Sequence, residues 1–168
     1  MAGGFGICKK ASDSCKMESI NRYIRKKVNM LNSIHHIAII CSDKDKALHF
    51  YHGLLGFAVI RSNYREDRKD WKIDLLLSGE LNGPHTELEL FIIPSAPPRP
   101  SYPEAQGLRH LAFRVPSVAD AVAWLKERGI QCEPVRQDTY TGEAMSFFHD
   151  PDGLPIEIHE WNVAGLQA

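Results

Sequence analysis

A chain of 168 residues, 43% hydrophobic and 24% charged, is long enough for one compact unit or two small halves sharing a core. The formal net charge of −1 points to neither nucleic acid nor an anionic membrane surface, and no apolar run approaches the ~20 residues of a membrane span. The four cysteines (Cys8, Cys15, Cys41 and Cys132) form no Cys-x-x-Cys pair, so they read as free thiols of a reducing, cytoplasmic compartment.

Residues 1–30 differ from the rest. Seven Lys/Arg face two acids, Asp13 and Glu18, and Ile20, Tyr23, Ile24 and Val28 outline a weak basic amphipathic helix. This is a flexible extension, read either as a targeting or membrane-surface segment or as sequence upstream of a start at Met30. The lack of an apolar h-region or cleavage pattern favours the second. From residue 31 the pattern becomes regular. The spacing predicts a strand over 33–41, then a helix over 44–55 capped by Asp43 and closed by Gly56. Strands follow at about 57–63, 71–77 and 87–93, with turn chemistry at 79–84. Residues 94–106 hold five prolines and form a semi-rigid linker. The second half, 107–161, predicts a strand to Val115, a helix over 118–128 capped by Ser117 and closed by Gly129, and strands at 130–136, 144–149 and 155–161. Asp150-Pro151-Asp152-Gly153 makes the last turn, and 162–168 is a C-terminal tail.

The halves superimpose. His36-Ile37-Ala38-Ile39 returns as His110-Leu111-Ala112-Phe113, seven residues before the capping residue in each case. Leu88-Glu89-Leu90 returns as Ile156-Glu157-Ile158. A self-similarity of this kind is architectural. Each half runs β-α-β-β-β, with a histidine in its first strand and a glutamate in its last. Strand alternation places His36, Glu89, His110 and Glu157 on the faces opposite the aliphatic rows. An unpaired buried carboxylate costs several kcal/mol, roughly. Pairing with Lys or Arg explains either glutamate singly; a divalent cation explains all four positions together. Two imidazoles and two carboxylates with open positions suit Ni²⁺ or Zn²⁺, with Co²⁺ and Mn²⁺ also accommodated. Such an ion stabilises charge on adjacent substrate oxygens, and a glutamate can act as general base. The other histidines do not join: His35 points to the opposite face, and His159 is at most a supporting partner of Glu157.

These motifs, with Phe50-Tyr51…Leu54-Leu55-Gly56-Phe57 and Asp150-Pro151-Asp152-Gly153, resemble the vicinal oxygen chelate superfamily, and within it the short bacterial glyoxalase-I-like proteins. The resemblance spans about 31–161. It implies an α+β fold of two paired βαβββ modules (31–93 and 107–161) forming a cup-shaped mixed sheet. It implies one divalent metal per site bound by His36, Glu89, His110 and Glu157, and homodimers, with modules paired either within a chain or across the dimer. It also implies isomerisation of a thiol–methylglyoxal hemithioacetal to a lactoyl thioester through an enediolate, with Glu157 as proton shuttle and Glu89 as a second catalytic carboxylate. The sequence departs where the short bacterial enzymes bind glutathione: their arginine position is Ile40 and their asparagine position is Ile93. Candidate substrate contacts are Arg114, which follows His110 by four residues on the same face, and Arg65 and Trp71, in a stretch that is either a lid or a solvated hairpin. The expected partner is a small molecule, a thiol adduct or a thioester. The alternatives are an acyl-CoA epimerase of the methylmalonyl-CoA type and a non-catalytic small-molecule-binding module. Retention of all four ligand types counts against the binding module.

Overall fold

The computed structural model describes residues 31–100 and 102–161; the expectations for 1–30 and 162–168 lie outside the described residues. The chain divides into a unit to Ile34 and a unit from His35, and among the described residues every helix and strand belongs to the second. Its first module runs β1 (His36–Cys41), α1 (Lys44–Leu48) continuing into a π-helical turn (His49–Leu54), β2 (Val59–Arg65), β3 (Asp70–Gly79) and β4 (His85–Ile92). Its second runs β5 (Leu111–Val115), α2 (Val118–Glu127), β6 (Arg136–Gln137), β7 (Ala144–His149) and β8 (Pro155–Glu160). Each module is a four-stranded mixed sheet, ordered β1-β4-β3-β2 and β5-β8-β7-β6, with the first and last strands parallel. This is the duplicated βαβββ plan that the repeat predicts.

Local chemistry sets the elements. Asp43 accepts the Lys46 N–H at 2.9 Å and Ser117 accepts that of Asp120 at 3.2 Å, so both helices begin at their predicted caps. Gly56 and Gly129 follow the helical segments at φ 81° and 77°, conformations that side-chain-bearing residues rarely adopt. Leu88, Leu90 and Ile156 are fully buried, and Ile92 and Ile158 are nearly so. Each such side chain contributes about 1.5–3 kcal/mol of hydrophobic stabilisation, which fixes the register and sends Glu87, Glu89 and Glu157 to the other face.

Three expectations change. The first helix is α-helical only to Leu48. Its continuation widens, with Leu55 N–H bonding Phe50 O and Phe57 N–H bonding Tyr51 O, and this turn brings Phe50 and Tyr51 into the core. The strand expected over 130–136 shrinks to β6, because Pro134 has no N–H to give a ladder. The strand expected from 107 starts at Leu111. The carbonyls of Leu108 and Arg109 are taken instead by Arg99 of the proline-rich linker, at 2.9 and 2.8 Å, so His110 stands just before β5.

The modules meet through side chains. Phe50 packs on Phe148 and Phe57 on Phe113. The Tyr51 hydroxyl donates to Asp150 Oδ2 at 2.8 Å, and Ser42 donates its N–H and its hydroxyl to Asp152. The Asp150–Gly153 turn is therefore both a reversal of the chain and a clasp between the halves.

Candidate metal centre

In the first module β4 places Glu89 beside β1, and the Nε2 of His36 lies 3.8 Å from Glu89 Oε2. The other oxygen, Oε1, receives the Lys72 ammonium at 2.8 Å. From there a chain of charges crosses the sheet. Lys72 also bonds Asp74 Oδ1 at 2.5 Å, and Arg61 Nε bonds Asp74 Oδ2 at 2.7 Å. Arg61 Nη2 bonds both Glu87 oxygens at 2.9 and 2.7 Å, and His85 Nε2 lies 3.1 Å from Glu87 Oε1. Asp74, Glu87 and Glu89 are 1%, 4% and 8% exposed, so these contacts are what makes their burial tolerable. Burial pushes the Asp74 carboxyl up, but the hydrogen bonds from Lys72 and Arg61 outweigh it and hold Asp74 below the usual carboxylate range. For Glu87 burial is likewise outweighed, by His85 and Arg61.

Sequence reasoning missed this network. Its signal is the alternation Lys72-Ile73-Asp74-Leu75, which puts two charges on one strand face. Its assembly depends on the pairing of β2, β3 and β4, which carries register shifts at Val59/Arg61 and at Leu76/Ser78. His35, expected on the face opposite His36, instead meets it. Although next in sequence to His36, its Nδ1 lies 2.9 Å from His36 Nδ1, with the rings edge to face.

The second module repeats the ligand pair without the network. His110 Nε2 lies 2.8 Å from Glu157 Oε2, and Glu157 is 7% exposed. Where Asp74 stands opposite Glu89, Phe147 stands opposite Glu157, and the Phe147 ring packs edge-on against His110. Among the described residues no Lys or Arg pairs with Glu157.

Among the described residues the only trio of metal-ligand side chains whose donor atoms lie within 4.8 Å of one another is Asp74, Glu87 and Glu89. The four expected ligands therefore stand in one chain as two pairs, His36/Glu89 and His110/Glu157, not as a single cluster. The donor chemistry of the pairs fits a divalent ion. In the first half Arg61 and Lys72 answer two of three carboxylates, and in the second, among the described residues, Glu157 has no Lys or Arg on it. With neutral imidazoles each half offers one net negative charge, and the two halves together would balance one divalent cation.

The remaining candidates are placed as follows. Arg114 stacks on Trp161 at 4.0 Å, on the His110 side of β5. Arg65 bonds both oxygens of Asp70 at 2.6 Å and lies over Phe91 at 4.8 Å. That ion pair closes the turn over 66–69, so the stretch is a hairpin. Trp71 pairs with Ile92 and carries the Lys44 ammonium over its ring at 3.2 Å; it belongs to the helix-facing side, opposite Glu89. His159 turns to the Glu160 carbonyl and to Glu143, not to Glu157.

The chain is 53% identical to the uncharacterised Bacillus subtilis protein YwkD over 131 residues, 78% of this chain and 98% of that protein. A crystal structure of a glyoxalase family protein from Enterococcus faecalis superimposes with a TM-score of 0.73 at 48% identity, covering 79% of this chain and all of that one. The Arabidopsis thaliana protein named Glyoxylase I 4 is 30% identical over 135 residues, 76% of this chain and 70% of its own length. Residues 33–158 match the model of the glyoxalase/bleomycin resistance protein/dioxygenase superfamily, and the chain belongs to that family.

Proposed function

We propose that the protein is a metal-dependent lyase of the glyoxalase I type, converting a thiol–methylglyoxal hemithioacetal to a lactoyl thioester. The observation that carries this reading is the unequal setting of the two glutamates. Glu89 is tied through Oε1 to Lys72 and cannot swing without breaking an ion pair. Among the described residues Glu157 has His110 as its one ionic partner, and its cross-strand neighbour is Phe147. A divalent metal held by His36, Glu89, His110 and Glu157 would supply Lewis acidity, stabilising negative charge on adjacent substrate oxygens. Moving a proton between neighbouring carbons needs one carboxylate that takes it and returns it. Glu157 is suited to that work and Glu89 to staying in place. The Phe147 ring packs edge-on against His110 and holds its orientation.

The same reading makes the site a product of two chains. One chain would bring His36 and Glu89, and a second copy His110 and Glu157, since among the described residues of one chain no three of these four offer donor atoms within 4.8 Å of one another. Where the resembling enzymes hold glutathione, this chain presents Ile40, 58% exposed, and Ile93. That apolar surface favours a thiol other than glutathione. The test is a hemithioacetal isomerisation assay with several thiols and with Ni²⁺ and Zn²⁺ in turn. Glu157→Gln is expected to lose roughly 10²–10⁴-fold in turnover, the usual range for a general acid–base, with its metal content retained. Metal-free protein from a metal-replete preparation, or full activity in Glu157→Gln, would sink the reading. Turnover of a CoA ester with no hemithioacetal activity would assign the site to an epimerase instead.

A further inference from the structure

The first half-site contains more carboxylate than one metal needs. Asp74, Glu87 and Glu89 each offer an oxygen within 4.8 Å of one another, a spacing that would itself hold a divalent ion. Two internal cations lie in it. Arg61 takes Asp74 Oδ2 and both Glu87 oxygens. The Lys72 ammonium sits between Asp74 Oδ1 and Glu89 Oε1, at 2.5 and 2.8 Å, and so occupies the position a hard cation would take between those two oxygens. Among the described residues, Glu89 Oε2 is the one oxygen of the trio with no Lys or Arg on it, and it faces His36. Asp74 is almost wholly buried and bonded on one oxygen by Arg61 and on the other by Lys72, whose side chain is 24% exposed.

We infer that Lys72 is a specificity-determining residue for metal placement. It closes the carboxylate trio against divalent cations and reserves the free oxygen of Glu89 for the ion shared with His36. The inference rests on the metal-dependent reading of the site. It assigns to Lys72 neither a contact with substrate nor a proton transfer. An all-carboxylate pocket attracts hard ions such as Mn²⁺, and Mn²⁺ also binds mixed imidazole–carboxylate sites, so one probe reports on both.

The experiment is a Mn²⁺ titration of metal-stripped full-length protein, read by calorimetry and by the electron paramagnetic resonance of free Mn²⁺. Wild type is expected to take one ion per chain. Lys72→Met is expected to take two, the added one lost again in Lys72→Met/Asp74→Asn. Lys72→Arg keeps the charge and is expected to take one. If Lys72→Met fails to fold, Lys72→Gln keeps a donor to Asp74 without the charge and carries the same expectation. One ion per chain in both neutral variants, with wild-type affinity, would overturn the role of Lys72 while leaving the metal reading intact. No ion bound to wild type would overturn both.

Discussion

His35 and His36 show how much a single contact decides at the scale of a residue. Two imidazole nitrogens 2.9 Å apart share one proton. The Nε2 of His36 faces Glu89, so a metal there needs that nitrogen bare, and the ring proton must sit on Nδ1 and point to His35. Under the metal-dependent reading, a proton given by His36 Nδ1 to His35 would leave Nε2 free for the ion, the support that outer partners of ligating histidines commonly give. His35→Ala is expected to weaken metal binding about 10- to 100-fold, the range such partners contribute; chelator competition would measure it. An unchanged dissociation constant would show that His36 needs no such support. The pairing of His36 with Glu89 and of His110 with Glu157 was legible in the sequence because strand alternation and the repeat both mark those positions. His35 was not, because alternation sends neighbours to opposite faces and says nothing of two rings meeting at the start of a strand.

At the scale of elements, the helices were legible from their caps and closing glycines, and the long strands from their aliphatic rows. The π-helical turn was not, since the apolar spacing of a short helix does not reveal one extra residue per turn. Its effect is to deliver Tyr51 to the Asp150–Gly153 turn. Burial pushes the Asp150 carboxyl above its ordinary 3.8, against hydrogen bonds from Tyr51 and from the N–H groups of Leu154 and Asp152. The Tyr51 hydroxyl is pushed up too, by burial first and by Asp150 second, and stays a donor across the working range. Tyr51→Phe is expected to cost about 1.5–3 kcal/mol at neutral pH, the worth of a hydrogen bond to a charged group. A carboxyl whose folded value is raised binds its proton more readily in the folded state, so acidification through that range favours the fold. The deficit of Tyr51→Phe should therefore shrink as pH falls through the raised range of Asp150, because a neutral carboxyl needs the donor less. Calorimetric melts of both proteins between neutral pH and pH 4 would read this, and a constant difference would remove Asp150 from the account.

For the whole molecule, the repeat predicts two modules but not how they share a site. Each module carries one histidine–glutamate pair on a sheet whose first strand, β1 or β5, lies at an edge. Within the chain the clasp of Tyr51, Ser42, Asp150 and Asp152 joins the π-helical turn and the end of β1 to the last turn. A two-fold dimer would bring the first half of each chain to the second half of the other and make two equal sites. Subunit mixing tests that arrangement. A His36→Ala/Glu89→Gln chain and a His110→Ala/Glu157→Gln chain should each be inactive alone. If sites are shared, a mixed dimer holds one site with every ligand altered and one with none. After unfolding and refolding an equal mixture, half the dimers are mixed, and activity should return to about a quarter of wild type. If each chain instead builds its site alone, every site in the mixture is damaged and no activity returns. The result reads the assembly of the centre from its chemistry, independently of which thiol the substrate carries.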